Sequence, residues 1–222
     1  MFQQRITSRM MTAAFLLAGV AVWPTTVHAQ NTPTYTGEAF GASVNALGIK
    51  TTVSDTGALS SSGGSLSTQL AGIDLPGLLD LHLLTASTNG SNSVTSSQAS
   101  VANISVTAVG VSITASVLTS NASAQSCAAG NPAVTGGSTI ANLVVNGQPI
   151  TVTGAPNQTV PLLIGSLIIN EQSSAVYSNA FGSGASITVN ALHLKVAGLA
   201  EVIIASSSAG VSCGSNGCSL LF

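Results

Sequence analysis

Gly210-Val211-Ser212-Cys213-Gly214 matches the Gly-x-Ser-x-Gly turn that presents a nucleophilic serine. That chemistry requires a strand–turn–helix setting, with an acid and then a histidine later in the chain. The eight residues after Gly214 contain neither, so the match is read as accidental. Asp80 and His82, two apart, would share one face of a strand and could pair. Asn170, Glu171, Gln172 and His193 offer the makings of a histidine–carboxylate site. They are read instead as polar groups that fix strand positions by hydrogen bonds inside or beside a core. Two histidines and scattered acids carry no triad or ligand spacing.

Cys127, Cys213 and Cys218 are the three cysteines. No Cys-x-x-Cys and no histidine pair accompanies them, so neither zinc nor any other cofactor is expected. Disulfide chemistry fits better, because the N-terminus carries an export signal. Arg5 and Arg9 precede an apolar stretch from Met10 to Val22, Pro24 breaks it, and Val27-His28-Ala29 supplies small residues where a signal peptidase reads. Residues 1–29 are thus expected to be a cleaved signal, and 30–222 a single domain in an oxidising compartment. Three pairings of the cysteines are open. Cys213–Cys218 would close a short Gly-Ser-Asn-Gly loop. Cys127–Cys213 is favoured, because closing a long loop stabilises more, about 4–5 kcal/mol in the chain-entropy model.

Charge excludes several functions. After the signal the chain keeps Lys50 and Lys195 against six acids, two positive and six negative, or −4 with histidine neutral. Charged residues are 5% of the sequence, against roughly a quarter in ordinary domains. Nucleic acid and anionic membrane surfaces call for basic patches that are absent here. No transmembrane segment is expected in the mature chain. Phe222 after Leu220-Leu221 suggests an outer-membrane barrel strand, but 4% aromatic residues cannot furnish the girdles. Sugar-stacking platforms are thin too, since Trp23 lies in the signal. Enzymatic activity is not expected.

The elements that would position these residues are strands. β-branched and hydroxyl residues alternate, as in Ile104-Ser105-Val106-Thr107 and Val111-Ser112-Ile113-Thr114, with a hairpin turning near Val109-Gly110. Asn146-Gly147 predicts a type I′ hairpin, and Pro149 an edge position. Gly154-Ala155-Pro156-Asn157 reads as a turn. Strand regions follow at Val160–Gln172, broken near Gly165, then at Ser186–Val196 and Glu201–Ser208. Gly57–Gly64 and Gln125–Gly137 read as loops, the first flexible. Helix signals are minor. The segments Val101–Val106, Ile140–Val145 and Val189–Leu194 echo one another at irregular spacing, which points to equivalent strands facing one core. The fold expected is all-β, an antiparallel two-sheet β-sandwich with Greek-key-like or jelly-roll-like connections.

The run Leu143-Val144-Val145-Asn146-Gly147, then Asn157, Leu167 with Asn170-Glu171-Gln172, Val189-Asn190-Ala191-Leu192-His193-Leu194, and Ala209-Gly210-Val211 with Cys213 resembles the choice-of-anchor P family. The likeness runs from Ser96 to Cys213, and more loosely back to Phe40. It implies a bacterial exported, surface-associated protein with no enzymatic activity. Gly214 to Phe222 carries no sorting motif, so cell surface, medium and periplasm all stay open as destinations. Rows of Ser and Thr with little charge leave sheet edges unprotected, and self-association through edge strands, or contact with other surface components, is the expected role. The alternatives are a monomeric module binding glycan or ice, and an unrecognised hydrolase.

Overall fold

In the computed structural model, residues 32–46, 48–108, 110–127, 131–196 and 200–214 are described. Residues 1–31, where an export signal is expected, and Val109, 197–199, Cys218 and Phe222 lie outside them. The described residues form strands β1 (Thr34–Ala46), β2 (Ile49–Asp55), β3 (Gly64–Leu75), β4 (Leu79–Ser91), β5 (Val94–Ala108), β6 (Val111–Gln125), β7 (Ala133–Ala141), β8 (Val144–Val145), β9 (Gln148–Pro149), β10 (Gln158–Leu162), β11 (Gly165–Asn179), β12 (Gly182–Val196) and β13 (Ala200–Gly214). Sheet A has the order β10-β11-β12-β13-β1-β2; sheet B runs β3-β4-β5-β6-β8-β9, with β7 also paired to β6. All pairings are antiparallel, and the two sheets pack as a β-sandwich. Within each sheet the neighbours largely follow chain order, and the long-range pairing is β13 beside β1, the last described strand against the first. Among the described residues no helix is long and apolar enough to cross a membrane.

Local chemistry explains the turns. Asn146 and Gly147, at φ 50° and 78°, make the tight β8–β9 hairpin, and Pro149 sits in the edge strand β9 where no ladder N–H is required of it. Ala108 pairs with Val111 across the β5–β6 hairpin, as its sequence suggests. Two loop expectations change. Residues 56–61 do not hang free: Thr56, Leu59 and Ser61 bond the backbone of Ala39, Gly37 and Tyr35, covering the β1 edge where β2 has ended. Ala133–Gly137 belongs to β7 rather than to a loop. Its glycines misled because a Cβ on Gly136 would meet Ile187 and Val189 at 2.7 and 2.8 Å, so close sheet approach, not turning, requires glycine there.

Strict alternation fails at one line across both sheets. Inward residues are two apart on either side of it but three apart across it: Ala39/Ala42, Leu81/Leu84, Val101/Ile104, Ala115/Leu118 and Val189/Leu192 are all buried pairs. Ser54, Leu83, Asn103, Asn142, Asn170 and Ala205 adopt positive φ between 44° and 56° along that line. A left-handed residue costs an L side chain roughly 1–2 kcal/mol, and asparagine tolerates it best. This crease reverses which residues face inward. It accounts for the echo in Val101–Val106, Ile140–Val145 and Val189–Leu194, since each segment straddles it.

The crease also divides the interior. One half is aliphatic, with Leu81, Ile113, Leu167, Leu194 and Val106 almost fully buried, each such side chain contributing about 1.5–3 kcal/mol. The other half holds a smaller apolar cluster, with Tyr35, Leu59, Ile187, Val189 and Val211 among several alanines, interleaved with buried hydroxyls. Thr88 and Ser97 bond each other at 2.7 Å, and the Thr95 hydroxyl donates to the Gly210 carbonyl at 2.7 Å, tying sheet B to sheet A. Tyr35 closes this end, its hydroxyl accepting the Ser93 N–H at 3.0 Å.

Candidate functional site

The densest polar cluster lies on the outer face of sheet A and spans the crease. His193 on β12 bonds Glu171 Oε2 of β11 through Nδ1 at 2.5 Å and Glu201 Oε1 of β13 through Nε2 at 2.6 Å. Asn190 Nδ2 donates to the same Glu171 oxygen at 2.7 Å, and Lys195 Nζ donates to Glu171 Oε1 at 3.1 Å. The Ser206 hydroxyl donates to Asn190 Oδ1 at 2.7 Å. The backbone register creates these meetings. Glu171 stands opposite Asn190, Asn190 opposite Ser206, and Lys195 opposite Glu201. On an unbroken strand Asn190 and His193 would point to opposite faces; the crease at Ala191 turns both outward.

The His193 side chain is 6% exposed, Glu171 23% and Glu201 44%. In its imidazolium form His193 donates from both nitrogens, and the cluster balances two carboxylates with two cations. Burial alone would raise the Glu171 pKa, but hydrogen bonds from Asn190, His193 and Lys195 outweigh it and hold the carboxyl below its ordinary value. Both imidazole nitrogens are spent on carboxylates, and the nearest engaged hydroxyl, Ser206, serves Asn190. The arrangement clamps three adjacent strands.

The other sequence candidates fall elsewhere. Asp80 and His82 do pair, at 3.2 Å, with both side chains more than half exposed. Asn170 is buried and donates to the Gly154 carbonyl at 3.0 Å; Gln172 donates to Asn170 Oδ1 at 3.0 Å and reaches the Gly136 carbonyl of β7 at 3.4 Å. These two residues pin a turn and a sheet edge, while Glu171 between them faces the cluster. Ser212 lies within β13, a continuous strand through Gly214, not at a strand–turn–helix elbow. Cys127 and Cys213 form a disulfide, with Cα atoms 5.8 Å apart. It joins the segment after β6 to the end of β13 and so links the two sheets. Among the described residues no group of three or more His, Cys, Asp or Glu is arranged to hold a metal ion. Sequence reading missed Glu201 as a partner of His193, and Asn190 and Lys195 as partners of Glu171. A second acidic pair was missed as well: Glu38, where burial first and then the neighbouring Asp55 raise the pKa, with Lys50 partly offsetting.

Two surfaces remain unspent. β10 covers β11 only from Gly165 to Ile169, and the Asn157 side chain caps the next rung by accepting the Gln172 N–H at 2.8 Å. Beyond it Ser173–Asn179 is exposed and uncharged, with Val176 and Tyr177 about half exposed and Phe181 85% exposed at the hairpin tip. On the outer face of sheet B, hydroxyl and amide side chains stand in register across five strands. Ser65, Asn89, Ser96, Ser123 and Thr135 form one row; Ser67, Ser87, Gln98, Asn121 and Gly137 the next; Gln69, Thr85, Ser100, Thr119 and Thr139 the third. No family model, curated protein or solved structure matches this chain.

Proposed function

We propose that the chain is an exported structural or adhesive protein of the cell exterior, without catalytic activity, which assembles by adding strands between copies. The open β11 edge carries the reading. Past Gln172 the edge offers the alternate N–H and C=O groups of Ser174, Val176 and Ser178, without charge or proline and, among the described residues, without a covering strand, the devices that ordinarily block edge pairing. β3, the terminal strand of sheet B, is a second such edge, uncharged from Gly64 to Ile73. β3 lies beside β2, and β11 beside β7, so the two edges are on opposite flanks. Pairing β11 of one copy with β3 of the next is heterologous, so each copy added leaves a fresh edge for the next and growth continues into filaments or large closed rings. The leader-like N-terminus, the disulfide and the resemblance to choice-of-anchor P proteins support an extracytoplasmic setting. The mixed Ser, Asn, Gln and Thr rows differ from the flat threonine array that an ice-binding face would need.

Negative-stain electron microscopy and light scattering of concentrated mature protein test the reading. Filaments or large oligomers are expected across pH and salt, and Val176→Pro, which removes an edge N–H, should reduce them strongly. A monodisperse monomer under all conditions would refute it.

A further inference from the structure

The outer face of sheet B is concave as well as polar. The first two rows except Ser67, with Thr139 of the third, line a shallow trough of about 700 Å³, continued at its side by a smaller one against Ser67, Gln69 and Thr85. Every row position except Gly137 carries a hydroxyl or an amide. The charged groups of sheet B, Asp74, Asp80 and His82, lie on the far side of the crease. We propose that this trough is a binding site for an uncharged polysaccharide, and the inference does not depend on edge pairing.

Charge decides the ligand class. A trough without a cation offers an anionic chain no ion pair, and one without an anion offers a basic partner none. A protein partner would require apolar or aromatic anchors, and the three rows contain none. What the face supplies is a grid of neutral donors and acceptors, which matches a ligand made of neutral hydroxyls. Gln98 and Asn121 stand opposite each other at its centre, exposed, and neither spends its amide on another described residue. Each presents a planar C=O/NH₂ pair that can bond two neighbouring sugar hydroxyls. Four inter-strand steps of about 4.8 Å make the grid roughly 19 Å wide, room for several sugar units side by side. Many weak bonds on an open face imply modest affinity for a single unit and a gain from chain length through multivalency.

Affinity gel electrophoresis of Val176→Pro, a background in which edge pairing is blocked, provides the test. The probes are hydroxyethyl cellulose, dextran, pullulan and a galactomannan, with alginate as the anionic control. Retardation by at least one neutral polymer is expected, about equal at low and high salt. The Gln98→Ala/Asn121→Ala double variant should weaken it about tenfold, with an unchanged circular dichroism spectrum. Thr188→Ala on the outer face of sheet A should leave it unchanged. Absence of retardation by all four neutral polymers, retardation by alginate alone, or full retardation of the double variant would overturn the assignment.

Discussion

Replacing Glu171 with glutamine tests whether the His193 cluster is a strand clamp. The carboxylate accepts three hydrogen bonds, from Asn190, His193 and Lys195. A glutamine keeps one acceptor oxygen and turns an NH₂ toward a donor, so at least one charge-assisted bond is lost. Such bonds contribute about 1.5–3 kcal/mol when shielded. Lys195 is 46% exposed and Glu171 partly solvated, so screening reduces the expected loss to about 1–2 kcal/mol. For a domain of this size that lowers Tm by about 2–8 °C. The pH dependence is specific. The folded-state pKa of Glu171 is depressed, so its stabilisation is present above the unfolded-state value and is lost as pH falls through the folded one. Thermal unfolding followed by circular dichroism should therefore show the Tm gap at pH 7 and its closure in strong acid. An equal gap at both pH values would refute the electrostatic origin. No gap at pH 7 would refute the clamp.

Glu38 should behave with the opposite sign. Its folded pKa is raised, so the stability it contributes is present below the unfolded-state value and lost as pH rises through the folded one. Glu38→Gln should be slightly more stable than the parent at pH 7, by less than about 1 kcal/mol, and equal to it near pH 3 in urea titrations. The disulfide spans a separation of 86 residues, so removing it through paired Cys127→Ala and Cys213→Ala changes should cost about 4–5 kcal/mol, read as a lower urea midpoint; a peptide map under non-reducing conditions should recover the Cys127–Cys213 link. At the crease, Asn103→Ala should cost about 1 kcal/mol while Asn103→Gly changes stability less, because the site needs φ near 47°; equal effects of the two changes would mean that the left-handed conformation is not what asparagine serves.

Much of the architecture was legible because hydroxyl and β-branched residues alternate within each half-strand. The β5–β6 and β8–β9 hairpins and the edge position of Pro149 followed from local turn chemistry. The Cys127–Cys213 pairing followed from loop entropy. Glycine was the main source of error. At Gly136 it answers to side chains of the opposite sheet, a contact between residues 51 and 53 positions apart that no local pattern records. The His193 cluster was half legible. Glu171 and His193 were singled out by type while Glu201, Asn190 and Lys195 were not, and the meeting of all five depends on a break in parity that periodic reading smooths over. The available signal was the three-residue interval between apolar residues in Val101-Ala102-Asn103-Ile104, Ile140-Ala141-Asn142-Leu143 and Val189-Asn190-Ala191-Leu192.

That interval gives the crease a role beyond bending strands. Left-handed residues at six places are a cost, of roughly 1–2 kcal/mol each for those without asparagine or glycine. What they separate is unlike on its two sides: large aliphatic packing on one, and on the other a smaller apolar cluster interleaved with buried hydroxyls and the disulfide. Close approach on the hydroxyl side is needed because Gly37 faces Thr88 and Ser97 there, and Gly90 faces Tyr35, at distances that leave no room for a Cβ. An aliphatic interior of constant parity would hold the sheets at the usual spacing of about 10 Å along their whole length. Reversing parity exchanges the residues that face inward, and on the hydroxyl side it brings Gly37 and Gly90 to the interior positions where close approach occurs. The Glu171–His193–Glu201 clamp then sits where the two halves meet, with Glu171, Asn190 and Ser206 on the hydroxyl side and His193, Lys195 and Glu201 on the aliphatic side. Its bonds cross the line at which the strands are least regular. The open β11 edge and the sheet B trough both lie on the hydroxyl side, so weakening the clamp should loosen the join between them and the aliphatic core before either surface is itself altered.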